Sequence, residues 1–204
     1  MTTDKRILKE SPSQTAGPYV HIGCVPNFAD LVMYDGDLGA SLKTGPVQGQ
    51  EITIKGHVFD GTGTVLLDAM IEIWQPDAAG LFPSANETRG RVDPNFTGFG
   101  RSAGDMETGE FTFNTVKPGR VPWPDGRMQA PHITFWIVAR GINIGLHTRL
   151  YFEDEVAANA IDPILNAVEP QTRVHTLLAI KTAENVYSFD IHLQGPKETV
   201  FFDM

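Results

Sequence analysis

A single cysteine, Cys24, occurs in 204 residues. No disulfide can form within the chain, and one sulfur cannot build a thiolate metal site. This usage fits a reducing cytoplasm, and a lone thiol of this kind reads as a small apolar filler. Positive charge is also scarce: 16 Lys and Arg stand against 25 Asp and Glu, a formal net charge of −9. Such a balance disfavours nonspecific binding to nucleic acid or anionic lipid. No run approaches the roughly 20 apolar residues of a membrane helix. No apolar stretch follows Met1-Thr2-Thr3-Asp4-Lys5-Arg6, as a secretory signal would require. Metal-ligand spacing is missing too. The histidines are His21, His57, His132, His147, His175 and His192, and none forms a His-x-His or His-x-x-x-His pair. By residue type alone each is a hydrogen-bonded or surface imidazole. Neither a Gly-x-Ser-x-Gly elbow nor a phosphate loop is present.

What the chain has is a period of two. Ile52, Ile54 and Val58 fall on one face of a predicted strand that begins at Glu51. Asp60-Gly61-Thr62-Gly63 is a turn signal, and Ala69 to Trp74 gives a second strand. Glu110 to Val116 alternates through Phe111 and Phe113. Ile133 to Ala139 is almost continuously apolar, the pattern of a strand buried on both faces. Leu146, Thr148, Leu150 and Phe152 line one face of another strand, and Tyr187, Phe189, Ile191 and Leu193 of a further one. Thr199 to Phe202 is expected as a last short strand. Gly61-Thr62-Gly63 and Gly98-Phe99-Gly100 read as turn glycines, and Glu153-Asp154-Glu155 and Asp125 as solvent-facing carboxylates. Two short helices are expected, Glu153 to Ala160, acidic at its start, and Gln171 to Ile180 after Pro170. Many short strands with little helix predict a mainly β fold, a β-sandwich of two mixed sheets with long loops. Before it, residues 1–50 form an arm and loop region; Pro12 and Pro18 make Ser11 to Tyr19 an extended N-terminal arm. Residues 51–204 carry the sandwich, the two parts making one structural domain.

Several segments, in order and nearly end to end, carry a resemblance. They are Ser11 to His21, Ile71 to Asp77, Val92 to Arg101, Thr115 to Gly119, Ala130 to Asp154 and Glu198 to Asp203. Together they resemble the intradiol ring-cleaving dioxygenases, and within that family its non-catalytic α-type chains. In catalytic chains of the family a Pro-Gly-x-Tyr-Pro-Trp segment supplies a tyrosinate and an Arg-Pro-Ala-His-Ile-His-Phe segment two histidines. Here the first reads Pro118-Gly119-Arg120-Val121-Pro122-Trp123, and the second ends in His132-Ile133-Thr134-Phe135. The family's other tyrosinate falls at Thr88, and its accompanying arginine at Gln129. Three of four iron ligands are therefore replaced, leaving Thr88, Val121, His132 and Thr134 as vestigial metal-site positions.

The resemblance implies a chain that binds no iron and has no catalytic residue of its own. Fe(III) is expected on a homologous β chain, in a hetro-oligomer of α/β protomers. The implied reaction is intradiol cleavage of protocatechuate (3,4-dihydroxybenzoate) by O₂ to 3-carboxy-cis,cis-muconate. The implied contribution of this chain is part of the substrate pocket: Thr15, Gly17 and Pro18 on the arm, and Arg140, whose guanidinium can grip a carboxylate bidentately. The competing reading is a β-sandwich that binds an aromatic acid or serves as a scaffold. Trp74, Phe111, Phe113 and Trp136 are expected in the core or at a subunit interface.

Overall fold

The computed structural model describes residues 14–17 and 19–203. Among these residues ten strands are assigned: β1 Glu51–Gly56, β2 Val58–Phe59, β3 Met70–Trp74, β4 Phe99–Ala103, β5 Phe111–Val116, β6 His132–Val138, β7 Leu146–Phe152, β8 Leu178–Ala183, β9 Val186–Ser188 and β10 Ile191–His192. Helices are short: α1 Tyr19–Cys24, α2 Val156–Asn159, and 3₁₀ turns at Leu165–Ala167 and Gln171–Leu177. Eight strands follow the order β4-β3-β6-β7-β8-β9-β1-β5, and β10 pairs with β2. Within this sheet the β7–β8 and β1–β9 pairings are parallel and the other five neighbouring pairs antiparallel, so the sheet is mixed as expected. Only two residue pairs join β7 to β8. At this narrow seam the sheet folds its halves face to face, in a sandwich that approaches a barrel.

Alternation builds the core between the halves. Ile71 and Ile73 of β3 and Ile133, Phe135 and Ile137 of β6 meet Ile52 and Ile54 of β1 and Phe111 and Phe113 of β5. Phe113 and Phe135 pack edge to face at 6.2 Å, a favoured aromatic geometry. Leu42, from the long loop ahead of β1, is 1% exposed in the same core. A second, smaller cluster lies under the α2 and 3₁₀ segments, around Ala130, Tyr151, Leu165 and Leu177.

Four expectations are corrected. Ile133–Ala139 is not buried on both faces, because β6 alternates and leaves Thr134, Trp136 and Val138 half-buried. Gly100 is no turn glycine; it lies inside β4, opposite Ile73. A Cβ there would come within 2.8 Å of Ile73 and Leu42, so the strand runs through a place where only hydrogen fits. Gly98 keeps the turn role, at φ +70°. The segment after Pro170 leaves helix at Leu177 and continues as β8, where pairing with β7 and β9 overrides local propensity. Thr199–Phe202 is no strand; it makes one bridge, His147 to Phe202. Asp154 and Glu155 receive Lys117 Nζ at 3.0 and 2.7 Å, and Tyr187 donates to Asp154 at 2.8 Å. Glu153 and Asp154 are exposed, as expected, and the ion pairs add to that surface without burying it.

Candidate functional site

Of the four positions that the resemblance marks as vestigial, two lie on β6 and two in loops. His132 and Thr134 are two residues apart on β6 and so share a face. Val121, 4% exposed, sits in the loop before β6, where its carbonyl accepts from the Gln129 amide at 2.8 Å. Thr88 is exposed on the loop between β3 and β4. His132 is 6% exposed, and its ring packs 5.4 Å from that of Tyr151. Its Nδ1 lies 2.8 Å from the Ala130 carbonyl. A carbonyl can only accept, so Nδ1 carries the proton and Nε2 is left as the one lone pair. Burial, then the nearby Arg149 cation, push the imidazole down to about 4.

Arg149 is the residue that sequence reasoning missed. Its Nη1 donates to Gln129 Oε1 at 2.9 Å and to the Tyr151 hydroxyl at 3.4 Å. Its guanidinium lies 5.9 Å from the Phe202 ring centre. The resemblance places the family's arginine at position 129, where this chain has glutamine. The positive charge comes instead from the neighbouring strand and binds that glutamine. Alternation could have pointed to it, since Thr148 and Leu150 face the core and Arg149 must face outward with His132. Its meeting with Gln129 depends on strand register and loop path. Asp162, fully buried, anchors the base of the site: it accepts from the amides of Ala130, Ile164 and Leu165 at 2.7 to 2.8 Å.

These residues do not suit a ferric ion, which favours hard anionic oxygen ligands. Val121 has no donor atom and Thr134 offers a neutral hydroxyl. The Tyr151 phenol is held far from ionisation by burial, the opposite of a tyrosinate. A metal here would meet one neutral imidazole and a permanent cation.

The arm and Arg140 come together at the other end of β6. The Gly141 amide donates to Thr15 Oγ1 at 2.8 Å, across 126 positions of sequence. The Thr15 proton lies between the Ala16 and Ala139 carbonyls, at 3.1 and 3.4 Å. Thr15 is thus fixed to both residues that flank Arg140. Gly17 is half-buried, and its carbonyl accepts from the Val20 amide at 3.0 Å where α1 begins. Pro18 lies outside the described residues. The Arg140 side chain is 68% exposed, and its Nε pairs with Asp68, which was not anticipated. Its terminal nitrogens make no hydrogen bond among the described residues. A cleft of about 450 Å³ opens beside it, walled by Ile142, Leu146, Leu193 and Phe201.

The geometry defines a mixed β-sandwich chain, a fold that hosts many activities. Comparison with known proteins makes this specific. A family model described as a dioxygenase matches residues 24–195. The chain is 44% identical to the protocatechuate 3,4-dioxygenase alpha chain of Pseudomonas putida, over 97% of this chain and 98% of that one. It is 32% identical to the beta chain of the Burkholderia cepacia enzyme, over 83% of this chain and 76% of that one. Among solved structures, 3-chlorocatechol 1,2-dioxygenase from Rhodococcus opacus 1CP superposes with a TM-score of 0.56 at 25% identity, covering 78% of this chain and 69% of that one. The chain belongs to the intradiol ring-cleaving dioxygenase family, among its protocatechuate 3,4-dioxygenase alpha chains. The family depends on iron. No helix among the described residues is long and apolar enough to cross a membrane.

Proposed function

We propose that this chain is the iron-free member of a cytoplasmic α/β enzyme that cleaves protocatechuate with O₂ to 3-carboxy-cis,cis-muconate. Fe(III) belongs to the homologous β chain, and residues 1–50 pack on that chain. The observation that carries the reading is the junction of Thr15 with Ala139 and Gly141. It presents the arm and Arg140 as one surface, although they are far apart in sequence. Arg140 uses Nε for Asp68 and keeps two terminal nitrogens, the geometry needed for a bidentate grip on a carboxylate. Thr15, Gly17 and Pro18 then wall the partner's substrate pocket, and Arg140 neutralises the benzoate charge. The unsuitable donor set around His132 supports placing the iron elsewhere.

The test is expression of this chain with and without its β partner, followed by iron analysis and protocatechuate-dependent O₂ uptake. Iron and activity are expected only when both chains are present. Stoichiometric iron and turnover in this chain alone would overturn the proposal.

A further inference from the structure

Asp68 and Arg140 face each other by strand register. Met70, the first residue of β3, lies opposite Val138 of β6, and the pairing is antiparallel. Each residue back from Met70 meets one residue on from Val138, which carries the register past both strand ends to Asp68 and Arg140. Opposite charges so placed form a cross-strand pair, and here the Arg140 Nε donates to Asp68 Oδ2. The Asp68 side chain is 27% exposed against 68% for Arg140. The better buried member therefore holds the more exposed one. No other hydrogen bond reaches the Asp68 carboxylate among the described residues.

As a stability device this pair is weak, because exposed ion pairs contribute little. Its geometric effect is larger. A free arginine side chain carries rotamer entropy that costs up to about 30-fold in affinity when a ligand freezes it. Asp68 removes part of that freedom in advance. It also occupies the Nε side of the guanidinium fork, so a bidentate carboxylate must be taken end-on, by the two terminal nitrogens. Thr15 acts on the main chain instead: it receives the Gly141 amide and faces the Ala139 carbonyl. The backbone and the side chain of Arg140 are thus held by different groups. The opposing effect is repulsion between Asp68 and an incoming anion. At a separation of roughly 8 Å in a water-like dielectric it amounts to about 2-fold, less than the orienting effect.

We propose that Asp68 is a positioning residue, which fixes the Arg140 guanidinium for end-on capture of the substrate carboxylate in the partner's pocket. This rests on the role proposed for Arg140 and extends it to a residue that does not touch substrate.

The test is steady-state O₂ uptake by the intact α/β complex, with protocatechuate and with catechol, for Asp68→Asn, Arg140→Ala and the double variant. Asp68→Asn keeps the side-chain shape and a neutral acceptor, so the urea midpoint should stay close to native. It should raise KM for protocatechuate about 3- to 10-fold and hardly change that for catechol. Asp68→Ala should act in the same sense and more strongly. Added to Arg140→Ala, Asp68→Asn should cause no further rise, because the group it orients is gone. If Arg140→Ala discriminates between the two substrates and Asp68→Asn does not, this inference fails and the role of Arg140 stands. If Arg140→Ala does not discriminate, both fail. A further rise in the double variant, equal to that of Asp68→Asn alone, would overturn the inference by showing that Asp68 acts independently of Arg140. Equal effects on the two substrates, or a lowered urea midpoint that accounts for the loss, would overturn it in favour of a purely structural role.

Discussion

His132 offers a test of how its buried surroundings are held together. The perturbation is acid, applied to the native protein and to His132→Leu. In the open chain the imidazole titrates near its ordinary 6.5, whereas the folded site holds it down to about 4. The unfolded chain therefore takes the proton first. Stability sits at its plateau above pH 6.5, falls as the pH drops from 6.5 toward 4, and levels off below that. The full penalty is about 3 kcal/mol, and about 2 kcal/mol of it is reached by pH 5. The leucine variant cannot titrate here. It strands the Ala130 carbonyl, a loss of roughly 1–3 kcal/mol at every pH, but its further loss on acidification should be smaller by about 2 kcal/mol. The assay is urea unfolding at pH 8 and pH 5, at fixed protein concentration because assembly shifts apparent stability. With a slope of about 2 kcal/mol per molar urea, the acid shift of the midpoint should differ by about 1 M between the two proteins. Equal shifts would refute the account of a neutral imidazole trapped by burial and by Arg149.

Two further outcomes are expected. Arg140→Ala should raise the apparent KM for protocatechuate by about 10- to 100-fold, the range of a lost hydrogen bond to a charged group, and barely change that for catechol, which lacks the carboxylate; equal effects in steady-state O₂ uptake would remove Arg140 from the substrate site. Asp162→Ala should destabilise the chain by at least about 3 kcal/mol, since three amides lose a buried acceptor at ~1–3 kcal/mol each, and a urea midpoint close to that of the native protein would show that water or a neighbour replaces the carboxylate.

Local pattern determined much of this protein. The alternation of Ile52 and Ile54, of Phe111 and Phe113, and of Leu150 and Phe152 fixed which side chains enter the core, because strand side chains alternate strictly. Residue identity at Val121 and Thr134 carried the expectation, drawn from the resemblance, that metal ligands are replaced. Other features depended on contacts between distant segments. β4 was hidden because Gly98 and Gly100 look alike in sequence, and only the approach of Ile73 and Leu42 sets the second inside a strand. β8 was hidden because its pairing with β7 and β9 outweighs local helix signals. Thr199–Phe202 has a strand's composition but only one bridge to pair with. The site divides in the same way. Thr15 and Arg140 could be named separately, yet their junction is made by hydrogen bonds to Ala139 and Gly141 across most of the chain. Arg149 could be placed on the outer face by alternation. Its binding to Gln129 was decided only by tertiary structure, since register and loop path are long-range properties that no local period encodes.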